Sequence, residues 1–260
     1  MTFGPSQSAE NLASVRDRLE RAALRAGRRP KEILLIAVSK THSASQIRKL
    51  YESGVRHFGE NRVQEWETKR SEVADLHAMW HMIGHLQSNK AARTVRLFDF
   101  VDSVDSLGLA ERLDRARKDF NAEVAEKIAG AEKIGEEKSQ AVRGEHARLR
   151  ILIEVMLDPG GTKSGVREDE LPALVEAMMK LPHLELRGLM GVPPYFENAD
   201  RARPYFRRLR ELRDALRIRL GSNILPALSM GMSHDFEVAI EEGATEIRVG
   251  TALFGERQRV

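Results

Sequence analysis

Hydrophobic and polar positions follow two different periods along most of the chain. Short apolar runs alternate with longer stretches in which apolar residues recur every three or four positions. The short runs are typical of strands buried on both faces, and the longer stretches of amphipathic helices packed on a sheet. Eight strands are predicted in this way, at residues 32–38, 55–58, 79–83, 98–101, 149–156, 184–190, 226–229 and 246–249.

Repeated strand–helix units indicate an α/β protein with a parallel sheet. Eight units within 260 residues fit a single (β/α)8 TIM-type barrel, with a doubly wound open sheet as the alternative. Residues 9–26 predict an extra helix before the first strand, covering a barrel end or edge. Residues 118–148 are rich in charge and predict a helical insertion on the outer ring. No internal repeat or linker is evident, so one domain over residues 1–260 is expected.

Composition narrows the functional class. Lys+Arg 42 nearly balances Asp+Glu 39, and aromatic residues make up 5%, so a nucleic-acid partner is not expected. Cys 0 excludes disulfides and thiolate chemistry, which fits a reducing cytoplasm. The apolar runs are too short to span a bilayer, and the N-terminus lacks a secretory pattern. We therefore expect a soluble cytoplasmic protein.

In a TIM-type barrel, functional groups follow the carboxyl ends of the strands. Ser39, Lys40 and Thr41 follow the first predicted strand. A lysine that emerges from a buried strand into the barrel mouth is a candidate amine nucleophile or Schiff-base former. A solvated lysine at a strand end is the alternative interpretation.

The loops after the last two predicted strands indicate a phosphate site. Ser229 stands at the end of the seventh strand, and Gly250 and Thr251 follow the eighth. Small residues at these two loops expose backbone N–H groups, which bind phosphate in many such barrels. Alternatively, the glycines only form tight turns and Ser233 only caps a helix. His81 and His85 fall on a strand and a loop, so no metal site is expected from them.

Six motifs occur in one order along the chain: AVSKT at 37–41, FGEN at 58–61, WHMIGHLQSNK at 80–90, LRGLM at 186–190, LSMGMS at 228–233 and RVGTALFG at 248–255. Together they closely resemble the pyridoxal phosphate homeostasis protein family, from about residue 33 to residue 256. The resemblance implies the barrel of the alanine racemase N-terminal domain. It also implies pyridoxal 5′-phosphate (PLP) as the cofactor, held as a Schiff base on Lys40.

The same resemblance implies roles for further residues. Ser229, Gly250 and Thr251 would hold the phosphate, and Arg248 would approach the pyridine nitrogen. Asn61 and His85 would line the surroundings of the ring. An arginine at the ring nitrogen disfavours the pyridinium and weakens PLP as an electron sink. The implied function is therefore PLP (vitamin B6) and amino-acid homeostasis, without catalytic residues and without strong catalysis.

Two other functions remain open on the sequence alone. A PLP-dependent amino-acid racemase or lyase would use the same lysine. Related racemases take a second acid/base from a tyrosine of a further domain, and none is expected here, since the last unit ends close to Val260. A phosphate-binding barrel enzyme without PLP is the third interpretation. For the homeostasis protein, PLP-dependent apo-enzymes are candidate partners, and a monomer is expected.

Overall fold

The eight strands form one closed parallel barrel in sequence order. The computed structural model describes residues 7–134, 148–158 and 164–255. Closure is shown by β1, which pairs with both β2 and β8. The predicted TIM-type barrel is confirmed, and the open sheet is excluded. The strands are β1 Leu34–Val38, β2 His57–Glu60, β3 Met79–Met82, β4 Phe100–Val104, β5 Leu149–Val155, β6 Leu184–Gly191, β7 Ala227–Met232 and β8 Glu246–Val249.

Helices cover the outside of the barrel through apolar stripes. The stripe of α7, for example, buries Phe206, Leu209 and Leu216, and this helix ends at Gly221, whose φ of 125° lies in the region that favours glycine. The helices in the described residues are α1 Gln7–Arg25, α2 Ala44–Glu52, α3 Val63–Lys69, α4 Ala91–Leu97, α5 Leu107–Ile134, α6 Leu171–Met178, α7 Arg203–Leu220, α8 Phe236–Glu241 and α9 Thr251–Phe254.

Both additions to the basic barrel can be compared with the sequence. The predicted extra helix is present as α1, which buries Leu12, Val15 and Leu19 and packs against α2, α8 and α9. The charged segment predicted at 118–148 begins inside α5, a single helix that continues to Ile134. Its remainder, residues 135–147, lies outside the described residues.

Among the strands that continue past the carboxyl end predicted from the apolar pattern, β4 and β7 continue furthest, each by three residues. β4 continues through Asp102 and Ser103 to Val104, and β7 continues from Ser229 to Met232. Asp102, Ser103 and Ser229 are fully buried although they are polar. These polar residues end the apolar run in the sequence, but the strand continues through them. Part of the buried region around the strands is therefore polar.

The interior of the barrel is divided between apolar and ionisable side chains. Leu152, Met190 and Ala227 form a small apolar cluster separate from the main core. His81, Asp102, Glu246 and Arg248 are also buried. No helix in the described parts of the chain combines the length and apolar character that a bilayer span requires.

Candidate functional site

A cavity of about 200 Å³ opens at the carboxyl ends of β1, β7 and β8. This is the end at which TIM-type barrels carry their functional loops. Of the seven residues that the sequence assigns to cofactor binding, four line this cavity. Its lining consists of Val38, Lys40, His42, Met232, Ser233, Arg248, Gly250 and Thr251.

The backbone on both sides of Lys40 is fixed by polar contacts. Before it, the Ser39 N–H donates to the Gly59 carbonyl at 2.9 Å, which extends the pairing of β1 with β2. After it, Thr41 has a φ of 65°, a value that non-glycine residues seldom adopt. The N–H of Thr41 donates to the Glu65 carboxylate. The structure therefore turns the chain sharply out of β1 directly after the lysine.

A buried ion pair lies behind this turn. Lys69 Nζ is 2.7 Å from Glu60 Oε1 and donates to the Ser39 carbonyl at 2.9 Å. The Ser39 hydroxyl donates to the same Glu60 oxygen at 2.6 Å. Burial raises the pKa of Glu60, and the nearby charge of Lys69 opposes that rise. The pair joins β1, β2 and α3 immediately below Lys40, and no motif in the sequence indicates Lys69.

Arg248 reaches the cavity from the barrel interior. One of its terminal nitrogens donates to the carbonyl and the hydroxyl of Ser229, both at 2.7 Å, and the other to the Gly191 carbonyl at 3.0 Å. Burial lowers the pKa of the guanidinium, whereas the charges of Asp102 and Glu154 raise it. Arg248 is thus a buried cation held in one orientation by neutral acceptors.

Ser229, in β7, and Ser233, directly after it, make different contacts. The Ser229 hydroxyl lies under Arg248 and is not part of the cavity lining. Ser233 Oγ instead lines the cavity and accepts the N–H groups of Gly250 at 3.2 Å and Ala252 at 3.3 Å. It therefore ties the β7 loop to the β8 loop, whereas the sequence suggested only a helix cap for it.

A left-handed glycine brings Ser233 to this position. Gly231 has a φ of 92°, and a Cβ atom there would lie 2.6 Å from Ala239 Cβ and 2.9 Å from Phe236 Cα. Only a glycine allows β7 to turn so close to α8. The sequence indicates this turn by the glycine between the two serines of SMGMS. Because Gly231 turns the backbone, Ser233 does not follow the alternation of side chains along β7.

Asn61 and His85 lie apart from Lys40. Both line a second cleft of about 240 Å³ at the same end of the barrel, with Arg62, Gln64 and Lys90 among its other residues. His85 Nδ1 is 3.2 Å from Asp105 Oδ2 on the neighbouring loop. The structure therefore brings Lys40, Arg248, Gly250 and Thr251 into one cavity and places the predicted ring-lining pair in a neighbouring one.

The cavity lining defines the chemistry available. It offers one primary amine, one guanidinium, two hydroxyls and the glycine backbone of the β8 loop. His42 also belongs to it and stacks on Phe254 of α9, with ring centroids 4.2 Å apart. Among the described residues, neither a carboxylate nor a tyrosine lines this cavity. Such a set suits an anionic ligand that also carries an amine-reactive carbon.

Fold and site together define a (β/α)8 barrel with a lysine at the end of its first strand. The family model described as alanine racemase, N-terminal domain, matches residues 11–258. A pyridoxal phosphate homeostasis protein of Aquifex aeolicus is 41% identical over 251 residues, covering 96% of this chain and 99% of its own. One of Pseudomonas aeruginosa is 43% identical, covering 97% and 96%. The chain belongs to the pyridoxal phosphate homeostasis protein family.

Solved structures agree in fold. PipY of Synechococcus elongatus PCC7942, in a structure with PLP bound, has a TM-score of 0.77 and 37% identity, covering 96% of this chain and 100% of its own. An alanine racemase of Corynebacterium glutamicum has a TM-score of 0.58 at 19% identity. This chain covers 60% of that racemase, and the likeness extends to the fold alone.

Proposed function

We propose that this chain binds PLP in the cavity of Lys40 and holds it covalently through that lysine. It serves PLP and amino-acid homeostasis as a carrier or buffer and does not act as a strong catalyst. The observation that carries the proposal is the meeting of Lys40 and Arg248 in one cavity with the Ser233-bridged loops. The names of the relatives and the PLP-bound PipY structure support the same ligand.

The groups in the cavity fit those of PLP. This ligand combines a phosphate, an aldehyde and a pyridine nitrogen, and when bound it supplies an aldehyde that condenses reversibly with a primary amine. Lys40 supplies that amine. Gly250, Thr251 and Ser233 belong to two loops joined by hydrogen bonds, so these loops are held together at the place where the phosphate is proposed to bind.

Arg248 is assigned to the pyridine nitrogen. A buried guanidinium is a permanent donor, so it favours an unprotonated ring nitrogen. Ser229 and Gly191 hold this cation in place, which makes them positioning residues in the proposal. The effect is to weaken the stabilisation of carbanions, and so to favour storage of PLP over chemistry on amino acids.

Transfer and turnover measurements test this function. The protein loaded with PLP and freed of excess ligand is mixed with an apo-aminotransferase, whose recovery of activity reports transfer. Racemisation of free alanine by the same loaded protein is followed in parallel. We expect transfer and no racemisation above the level of a Lys40→Ala variant. Lys40-dependent turnover would instead identify an enzyme. Failure to bind PLP would favour the third interpretation, a phosphate-binding barrel enzyme without PLP.

A further inference from the structure

Helix α1 contacts both loops that form the proposed phosphate site. Arg18 Nη2 donates to the Ser233 carbonyl at 3.2 Å, in the loop after β7. Asn11 Nδ2 donates to the Leu253 carbonyl at 3.0 Å, in the helix α9 that follows the β8 loop. The PLP-binding role proposed above uses no residue of α1.

Asn11 and Arg18 project from one side of α1. They are seven residues apart, which is about two turns of an α-helix, so their side chains point in nearly the same direction. The buried residues Leu12, Val15 and Leu19 lie beside them and fix the helix on the barrel. α1 therefore holds both loops at once, at points separated by about 10 Å along its axis.

Contacts with α8 hold Arg18 in one orientation. Its Nε and Nη2 donate to the two carboxylate oxygens of Glu237, at 2.6 and 2.9 Å. The guanidinium also lies over the ring of Phe236, 4.5 Å from the ring centroid. A planar guanidinium bound to both oxygens of a carboxylate has a fixed orientation, so its bond to the Ser233 carbonyl has a fixed direction as well.

Ser233 is bound through both its carbonyl and its hydroxyl. The carbonyl accepts from Arg18, and the hydroxyl oxygen accepts two N–H groups that follow β8. The turn that contains Ser233 is also closed on itself. The Met232 N–H donates to Asp235 Oδ1 at 2.6 Å, and the Asp235 N–H donates to the Met232 carbonyl at 3.1 Å. A shift of the Ser233 carbonyl therefore moves the hydroxyl that holds the β8 loop.

The charge of Arg18 is balanced by Glu237. The two side chains form an ion pair at 2.6 Å and are 30% and 26% exposed. Solvent and salt screen such a pair, and its opposite charges largely cancel at a distance, so it adds little to the attraction of an anion. Arg18 therefore acts on the phosphate site through the position of Ser233 and not through its charge.

We propose that Arg18 is a positioning residue that determines the preference for phosphorylated over unphosphorylated vitamin B6 aldehydes, because it sets the β7 loop against the β8 loop. This proposal rests on the proposed PLP site, in which those two loops hold the phosphate. Asn11 has the same role at the other loop, since it anchors α9. Arg18 contacts the loop after β7, so its loss weakens the binding of the phosphate more than that of the aldehyde or the ring.

Equilibrium titrations of the whole protein with PLP and with pyridoxal, which lacks the phosphate, test this preference. The ratio of the pyridoxal to the PLP dissociation constant measures what the phosphate contributes to binding. Pyridoxal closes onto its own hydroxyl group in water, which weakens its binding equally in all variants. In Arg18→Met we expect the ratio to fall about fivefold, with the dissociation constant of pyridoxal nearly unchanged. Arg21→Met is the matched control, because Arg21 lies on the same helix and pairs with Asp17 of α1 itself.

A double variant separates the position of Ser233 from the charge at α8. Arg18→Met alone leaves Glu237 without its counter-charge, and an unpaired carboxylate near the site repels a phosphate. Arg18→Met/Glu237→Gln removes both charges and still lacks the donor to Ser233. We expect most of the fall in the ratio to remain in the double variant. Recovery of the wild-type ratio would show that charge causes the effect, and would overturn the proposal.

Hydrogen exchange of the ligand-free protein gives a readout that does not depend on PLP. The amide N–H groups of Gly250 and Ala252 should exchange faster in Arg18→Met than in the wild type or in Arg21→Met, because Ser233 then holds them less firmly. Unchanged exchange at both amides would contradict the role of Arg18.

The remaining outcomes separate this proposal from the proposed function. If Arg18→Met does not fold, Asn11→Ala is tested in the same way, with a smaller expected fall in the ratio. Equal ratios in Arg18→Met and Arg21→Met, or weakening of PLP and pyridoxal by the same factor, would overturn the proposal while PLP binding stands. A wild type that binds pyridoxal as tightly as PLP, or binds neither, would overturn the proposed phosphate site as well.

Discussion

Lys69 Nζ lies 2.7 Å from Glu60 Oε1 and also donates to the carbonyl of Ser39, the residue before Lys40. The two charges are removed from water, and the second carboxylate oxygen of Glu60 has no hydrogen-bond partner in the described structure. Such a pair contributes little net stability, but removal of one partner leaves a buried charge uncompensated. Its position suggests that it serves to fix the backbone that carries Lys40.

Lys69→Met should destabilise the protein by about 3 kcal/mol, because Glu60 then lacks its counter-charge. It should also weaken PLP binding, because the Ser39 carbonyl loses the Lys69 ammonium as a donor and keeps the His42 N–H. Urea denaturation and equilibrium dialysis with PLP measure the two effects. In the double variant Lys69→Met/Glu60→Gln, the loss of stability should be smaller than the sum of the single losses. Additive losses would show that the two side chains act independently.

Gly231→Ala should cost about 2 to 3 kcal/mol of unfolding free energy, through its positive φ and its contact with α8. Gly221→Ala is the matched control, since Gly221 also has a positive φ but a Cβ atom there meets nothing within 4 Å. The unfolding free energy of Gly221→Ala should fall by at least about 1 kcal/mol less than that of Gly231→Ala, because at Gly221 only the backbone conformation is unfavourable. Equal losses in urea denaturation would mean that the close approach to α8 contributes nothing.

Ser233→Ala should weaken PLP binding about fivefold, because the N–H groups of Gly250 and Ala252 lose the acceptor that joins the two loops. Ser53→Ala, which removes a hydroxyl bound to the Lys49 carbonyl at the end of α2, is the control and should bind PLP normally. Fluorescence titration with PLP compares the two variants. If Ser233→Ala binds as tightly as Ser53→Ala, the bridge has no part in holding the phosphate.

Glu246 should make stability depend on pH in a defined direction. Its folded pKa is about 7 against an ordinary value of 4.5, so the folded state binds the proton more tightly than the unfolded state. Stability relative to Glu246→Gln is therefore lost as pH rises from about 4.5 to about 7 and stays low above that range. We expect Glu246→Gln to be more stable by about 2 kcal/mol at pH 8. Denaturation curves across this pH range would contradict the assignment if the two proteins differ by a constant amount.

The barrel itself could be predicted from the sequence because its strands are apolar on both faces. The residue at which a strand ends cannot be predicted where buried polar residues interrupt the apolar pattern. An example is β4, which continues through Asp102 and Ser103. Lys40, Gly250 and Thr251 were predicted from their place after strand ends. A barrel brings such positions together whatever the details of its loops.

Residues that act through tertiary contacts could not be predicted in this way. Lys69 lies on α3 as one of many charged helix residues, and only the folded chain shows that it reaches Ser39. Ser229 and Ser233 could not be distinguished, because the turn at Gly231 decides which hydroxyl faces the cavity. The separation of Asn61 and His85 from Lys40 likewise depends on how three loops are arranged around the barrel mouth.

The attachment of PLP to Lys40 is the central claim, and the visible absorption spectrum before and after borohydride, with peptide mapping, tests it directly. The wild type incubated with PLP should develop a yellow absorption band that borohydride removes. The reduced adduct should then be found on the peptide that contains Lys40, and Lys40→Ala should show neither band nor adduct. Absence of the band with excess PLP, or a Lys40→Ala variant that binds PLP with the wild-type spectrum, would contradict the claim.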